Sequence, residues 1–389
     1  MEMDKVRFGI IGFGNMGSAH VNSLFEGKVA NATVTAICDI NPEKLESAKE
    51  KYGDKIKLFD NHIDMYKSGE IDAVLVATPH YDHPTLSISA FEHNLNVLCE
   101  KPAGVYTKQV REMNEAAEKT DKVFGIMYNQ RTNPVYQKVR QLIKDGKLGE
   151  IRRLNWIITT WYRPQSYYDS GTWRATWEGE GGGVLLNQDP HQLDLWQWVM
   201  GDVMPTRVRS FCAYGKMHNI EVEDDVTAYA EYENGATAVF ITSTYETPGT
   251  NRLEITGDMG KIVAEDNKIT FWRNEVSERK FNDEFKGGFG NPECWKCEIP
   301  VKGTHTDHIG IMQDFSSAIL KGTPLLAPGI EGIRGLEISN AIHLSSWLDN
   351  WVTLPIDEDL FYEKLQEKIK NSTVKKSEAS ITLDVSGTH

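Results

Sequence analysis

The sequence predicts an α/β protein of two domains: a doubly wound parallel sheet, then an α+β domain with a large, mostly antiparallel sheet. Three observations carry this. Short apolar strand runs alternate with stretches of helical spacing up to about residue 128, as in a parallel sheet covered on both faces. A glycine-rich turn follows the first of those runs. From Arg207 onward the period becomes two, punctuated by Asn234-Gly235 and Gly257-Asp258. The 389 residues exceed one ordinary domain. The expected division is 1–128, 129–370 and a polar, aromatic-poor flexible tail at 371–389.

With 40% hydrophobic and 25% charged residues the chain has a globular composition. Its net charge of -14 argues against a nucleic-acid partner, which needs a basic face. Five scattered cysteines do not form a disulfide framework, so a reducing compartment, the cytoplasm, is expected. Cys294 and Cys297 form a lone C-x-x-C without the second pair a zinc site wants, so no metal is expected and the two read as half-buried loop thiols. No signal peptide is expected at Met1 to Lys5, and no apolar run reaches the ~20 residues of a membrane span.

In chain order, Val6 to Ile11 is an apolar strand running straight into G-F-G-N-M-G, and helical spacing resumes from Ser18. Strand, G-x-G-x-x-G, then helix is the context of a Rossmann dinucleotide site. Gly12 permits the tight turn, Gly14 lets backbone approach a pyrophosphate, and Gly17 lets helix meet strand. Phe13, Asn15 and Met16 complete that loop, and the helix N-terminus offers N–H groups to phosphate. A second strand, Thr33 to Cys38, ends at Asp39, 22 residues beyond Gly17 and placed to hold ribose hydroxyls. Its carboxylate would repel a 2′-phosphate, and Ile40 brings no positive charge, so NAD is expected over NADP. Asn41, before Pro42, reads as the cap of the next helix and leaves Asp39 for the ribose. Further strands are expected at Ala73 to Ala77, Asn96 to Cys99 and Val123 to Met127, with helices at Leu86 to His93 and Thr107 to Lys119.

The strand ending at Cys99 leads into Glu100-Lys101-Pro102. Together with G-F-G-N-M-G, Ala77-Thr78-Pro79 and a later glycine-rich block, this resembles the Gfo/Idh/MocA oxidoreductases over nearly the whole chain, most weakly after Trp272. The residues themselves support a role for Lys101. It stands at the carboxyl end of a parallel strand, where open α/β sheets bind ligands, and its charge can stabilise an alkoxide. The resemblance implies that Thr78, Pro79 and Glu100 line the cofactor groove. Asn129 is counted with them, as is His83, with a structural place at a helix start as its alternative. His80 departs from the family's common asparagine.

After Asn129-Gln130-Arg131 a helix is expected to about Lys147, then a strand from Ile151 to Trp161. Six of the ten tryptophans fall between Trp156 and Trp198. Trp156, Trp196 and Trp198 suit the core. Tyr162, Arg163, Trp173 and Arg174 are the pocket candidates, because aromatic faces suit pyranose C–H surfaces and arginines donate to hydroxyls; Arg131 joins them. The block from Glu180 to Leu195 resembles the family's G-G-x-x-x-D-x-G-x-H-x-x-D pattern, which implies that His191 is the acid–base group. Asn187 replaces the family's aspartate and Asp189 its glycine; both are placed at the substrate, Asp189 pointing into the pocket. Asp194 is expected to orient a neighbour or serve the structure. Histidine titrates near neutrality, which suits proton exchange with an alcohol. Glu223, Asp224 and Asp225 read as an acidic loop. His305, Asp307 and His308, ahead of a helix at Ile311 to Leu320, are secondary pocket candidates, with His308 counted at the substrate.

The expected activity is NAD-dependent hydride transfer at a secondary hydroxyl of a sugar, glycoside or cyclic polyol. Lys101, His191 and Asn187 are its catalytic groups. The alternatives are an NAD-dependent glycosidase working by transient oxidation and elimination, and a non-catalytic NAD-binding sugar sensor. A broad sheet face suggests a homodimer or homotetramer.

Overall fold

The structure, a computed structural model, describes residues 5–171 and 173–373; the expected tail from residue 374 onward lies outside the described residues. The first half alternates strand and helix: β1 (Val6–Ile11), α1 (Asn15–Phe25), β2 (Ala32–Cys38), α2 (Pro42–Tyr52), β3 (Lys57–Phe59), α3 (His62–Lys67), β4 (Ala73–Val76), α4 (Asp82–Glu92), β5 (Asn96–Cys99), α5 (Thr107–Glu118) and β6 (Phe124–Ile126). The six strands form one sheet in the order β3-β2-β1-β4-β5-β6, and every pairing is parallel. The order reverses between β1 and β4, which opens a crevice beyond their carboxyl ends. β4, buried along its whole length, is the unbroken apolar run of a strand covered on both faces.

The second half continues with α6 (Pro134–Lys144), β7 (Ile151–Ile158), the short α7 (Gln165–Tyr168) and α8 (Val184–Asn187), and α9 (Pro190–Val199). Six strands follow: β8 (Arg207–Tyr214), β9 (Glu223–Glu231), β10 (Thr237–Ser243), β11 (Asn251–Gly257), β12 (Gly260–Glu265) and β13 (Lys268–Asn274). Then come α10 (Glu278–Glu284), β14 (Cys294–Ile299), α11 (Asp307–Lys321), α12 (Gly332–Leu348), β15 (Val352–Thr353) and α13 (Glu358–Lys370). Nine strands form the large sheet, in the order β14-β13-β12-β11-β7-β10-β9-β8-β15. It is antiparallel except where β7 and β10 run parallel.

Helix α9 is the pivot of this half. Pro190 occupies its first turn, as expected, and all ten of its residues are buried. Trp196 stacks on Phe240 of β10 at 5.4 Å, and Trp156 meets the same ring edge-on, so the core tryptophans are where their pattern put them. Two expectations change. Glu223 and Asp224 are fully buried at the start of β9 and not in an acidic loop. Glu223 accepts from Gly183 N and Leu185 N at 2.9 and 3.0 Å and so holds the glycine-rich loop. Cys294 and Cys297 lie on β14, paired with β13, rather than in a loop.

Helix α11 leaves the second half and packs on the first sheet. Phe315 lies 5.8 Å from Phe8, and Ile126 N donates to Ala327 O at 3.1 Å. Among the described residues, no helix is long and apolar enough to cross a membrane, and no group of His, Cys, Asp or Glu is arranged to hold a metal ion.

Candidate active site

A cleft of about 1170 Å³ runs from the glycine turn after β1 to the aromatic segment ahead of the Glu180 block. Its first half is built by the carboxyl ends of β1, β2, β4 and β5, which deliver Gly12–Met16, Asp39, Thr78–Pro79 and Glu100–Lys101. The three glycines have distinct geometry. Gly12 has φ +89°, and a Cβ there would sit 2.5 Å from Ala77 O. A Cβ on Gly17 would fall 1.8 Å from Gly12 O, so helix α1 can approach β1 only without a side chain. A Cβ on Gly14 would meet no atom within 4 Å. It would occupy only cleft space, which is the space a diphosphate needs at a helix N-terminus that no side chain caps.

Asp39 is 6% exposed and is not left free. Its carboxylate accepts from Phe13 N at 2.7 Å and Asn41 N at 2.9 Å, and so braces the glycine turn. Each oxygen keeps acceptor capacity for a hydroxyl. Asn41 caps α2 through Glu43 N. The Lys44 ammonium, which the sequence reading did not count, lies 3.5 Å from Asp39 and shares the cleft.

Glu100 lies at the end of β5, 4% exposed, with Oε1 2.6 Å from His20 Nε2 and Oε2 accepting from Lys101 N at 3.0 Å. Burial works against its charge, but the hydrogen bond and charge of His20 prevail and hold its pKa at about 2. The next residue, Lys101, sends Nζ across the cleft to Asn187 O at 2.8 Å. Burial pulls its ammonium below the ordinary lysine value, with Glu100 opposing. Asn187 is the last residue of α8, and His191, 8% exposed, lies in the first turn of α9. Lys101, Asn187 and His191 all line the same cleft.

Behind Asn187 stands Glu180, 2% exposed. Its carboxylate accepts from Asn187 Nδ2 and from Ala175 N, and lies 4.0 Å from the Arg174 guanidinium. Burial raises its pKa against those contacts. Tyr167 OH joins the network, taking a hydrogen bond from Arg174 at 2.8 Å and donating to Asn187 Oδ1 at 3.3 Å. His80 Nδ1 meets Glu180 O at 3.1 Å, and its ring stands edge-on to Trp173. Burial, reinforced by His83 and Lys101, holds His80 well below the ordinary histidine range.

Arg163, Trp173, Arg174 and His308 also line the cleft. Four other expectations are corrected. Arg131 is fully buried away from the cleft, donating to Asp194 at 2.6 and 2.8 Å and to Glu331 at 2.6 Å, because a guanidinium inside the fold must be paired. Tyr162 is 49% exposed and points away, since neighbours along an extended segment face opposite sides and Arg163 faces the cleft. Asp189 does not enter the pocket; it is fully buried behind Trp161, whose Nε1 donates to it at 2.7 Å. Asn129 is buried and gives its amide to Asp307 rather than to the groove. His83 borders the groove, but both ring nitrogens engage backbone carbonyls, of Pro102 and Thr78.

The sequence reading passed over Trp161, Tyr167, Gln130 and Gln188, all on the cleft wall, and Glu180 behind it. Only Glu180 left a signal, an acid in an otherwise glycine and apolar stretch.

The family model for the oxidoreductase family with an NAD-binding Rossmann fold matches residues 6–128, and that for the GFO/IDH/MocA C-terminal domain matches residues 136–263. The rhizopine catabolism protein MocA of Rhizobium meliloti is 30% identical over 53% of this chain, a match spanning 61% of that relative. The inositol 2-dehydrogenase of Rhizobium meliloti (strain 1021) is 23% identical over 86% of this chain and 95% of its own length. Among solved structures, the WlbA dehydrogenase from Bordetella pertussis, in complex with NADH and UDP-GlcNAcA, superimposes with a TM-score of 0.75. It is 26% identical and matches over 91% of this chain and 100% of that one.

Proposed function

The chain belongs to the Gfo/Idh/MocA family of NAD-binding oxidoreductases, and from that premise we propose that it interconverts a secondary hydroxyl and a ketone on a sugar, glycoside or cyclic polyol. One observation carries the reading: the Lys101 ammonium and the His191 imidazole line one cleft with the glycine turn, and Lys101 bonds the backbone of Asn187, four residues before His191. Bound NAD supplies the hydride acceptor. His191 would take the hydroxyl proton, and Lys101 would stabilise the oxyanion that develops on the same oxygen. Asn187, held by Glu180 and Tyr167, would fix the Lys101 ammonium through its carbonyl. Trp161 and Trp173 supply apolar faces for the ring. The relatives' printed names, an inositol dehydrogenase and a nucleotide-sugar complex, suit a cyclic polyhydroxylated substrate. Self-association belongs to the same reading. Ser210 packs under α12, while Phe211, 64% exposed, projects from the other face of β8.

The test is a panel of neutral and acidic sugars, inositols and aryl glycosides, followed by NADH absorbance and by product identity. Lys101→Met and His191→Asn are each expected to lower kcat by about 100-fold or more, with NAD affinity largely kept. Unchanged turnover in either variant would defeat the assignment. Aglycone released without net NADH would replace oxidation with glycoside cleavage.

A further inference from the structure

The substrate half of the cleft carries three cations, Lys101, Arg163 and Arg174. Arg174 has a carboxylate nearby, Glu180 at 4.0 Å, and Lys101 is bonded to the Asn187 carbonyl. Arg163 has no carboxylate partner. Among the described residues no carboxylate lies within ion-pair distance of it; one terminal nitrogen donates to Tyr162 O, and Nε is buried without a hydrogen-bond partner. Its guanidinium is held beside two rings, 5.9 Å from Trp161 and 5.3 Å from Tyr167, so the planar group is oriented in advance. Of the acids that line the cleft, Asp39 and Glu43 belong to the ribose end, Asp82 adjoins His83, and Glu100 is paired with His20 and acts on Lys101, so none serves Arg163.

A chain of net charge -14 thus leaves one guanidinium, Arg163, without a carboxylate partner where its substrate would lie. Resting on the dehydrogenase reading, we infer that the substrate is an acidic sugar whose carboxylate is received by the Arg163 guanidinium. A carboxylate matches the planar donor fork in two hydrogen bonds, and the Trp161 and Tyr167 rings exclude water from the pair. The reaction is otherwise that proposed above: the carbinol C–H gives its hydride to NAD, and the hydroxyl proton goes to His191.

The experiment uses the full chain with NAD. Turnover is compared for glucuronate, galacturonate, glucose, galactose and glucose 6-phosphate, and calorimetry measures glucuronate binding to the protein with NADH. A uronate is expected to exceed its neutral parent in kcat/KM by about 30-fold or more, and Arg163→Met to bring that ratio close to one while weakening uronate binding similarly. Neutral sugars turned over as well as uronates, or a ratio that survives Arg163→Met, would overturn the inference. Preference for the phosphate ester would overturn the carboxylate as well. Glucuronate binding that depends on Arg163, with no sugar oxidised, would uphold the anion site and defeat the dehydrogenase reading. Absence of both binding and turnover would defeat both.

Discussion

Asp189 shows what a single side chain contributes when it is hidden behind the cleft. It is fully buried, and burial drives its pKa up to about 8 despite the hydrogen bond from Trp161. In the unfolded chain the same carboxyl titrates near ~3.9. Between those values the folded protein keeps a proton that the unfolded chain has lost, so stability falls as pH rises across that window. Asp189→Asn removes this penalty. Its Tm is therefore expected to gain on the parent's as pH goes from 5 toward 8, by a few degrees or more; a difference that does not change with pH would refute the account. The places of Lys101 and His191 on the cleft were legible in the sequence because a strand end and a patterned block mark them. Trp161 was not, and Glu180 showed only as an acid in a glycine-rich stretch, since their contacts with Asp189 and Asn187 cross the fold and leave no local spacing.

The first βα turn, at the scale of an element, separates packing from binding within a few residues. The missing side chain at Gly17 makes room for a carbonyl of its own turn, whereas at Gly14 it leaves only open cleft. Gly14→Ala is accordingly expected to keep the parent's Tm while NAD affinity drops about tenfold or more, as the new methyl meets the diphosphate. Gly17→Ala should lose both affinity and thermal stability. Thermal unfolding with NAD titration checks the pair, and equal Tm losses in the two would show that the turn is not divided this way. Strand and helix positions in the first half were readable because a buried parallel strand is an unbroken apolar run and a helix is not. Glu223 misled because one carboxylate oxygen takes two backbone N–H groups of another loop and the other lies 3.0 Å from His343 Nε2, so burial did not require an apolar residue.

Over the whole molecule, the two sheets are joined by polar contacts as well as by core. Arg131, just after the first sheet, ties α9 through Asp194 and the approach to α12 through Glu331. Stripping one partner from a buried pair leaves an uncompensated charge, which costs about 3–5 kcal/mol. Arg131→Met is expected to lose stability of that order in urea unfolding, with the substrate KM of the folded enzyme unchanged. A raised KM at full stability would return Arg131 to the substrate site. The return of α11 to the first sheet has the same scale, and it makes the division at residue 128 a boundary in sequence more than in space.

By itself the sequence determined the parallel sheet, the glycine turn, the acidic residue at the end of β2 and the two groups expected to do proton and oxyanion chemistry. Each rests on local spacing or on a motif contiguous in the chain, and periodicity is a short-range property of the backbone. Tertiary structure decided that Arg163 faces the cleft while Arg131 does not, that Asp189 is buried behind a tryptophan, and that Glu180 stands behind Asn187. Those outcomes depend on which side chains from remote segments compete for the same space and the same hydrogen bonds, and only the packed chain sets that competition.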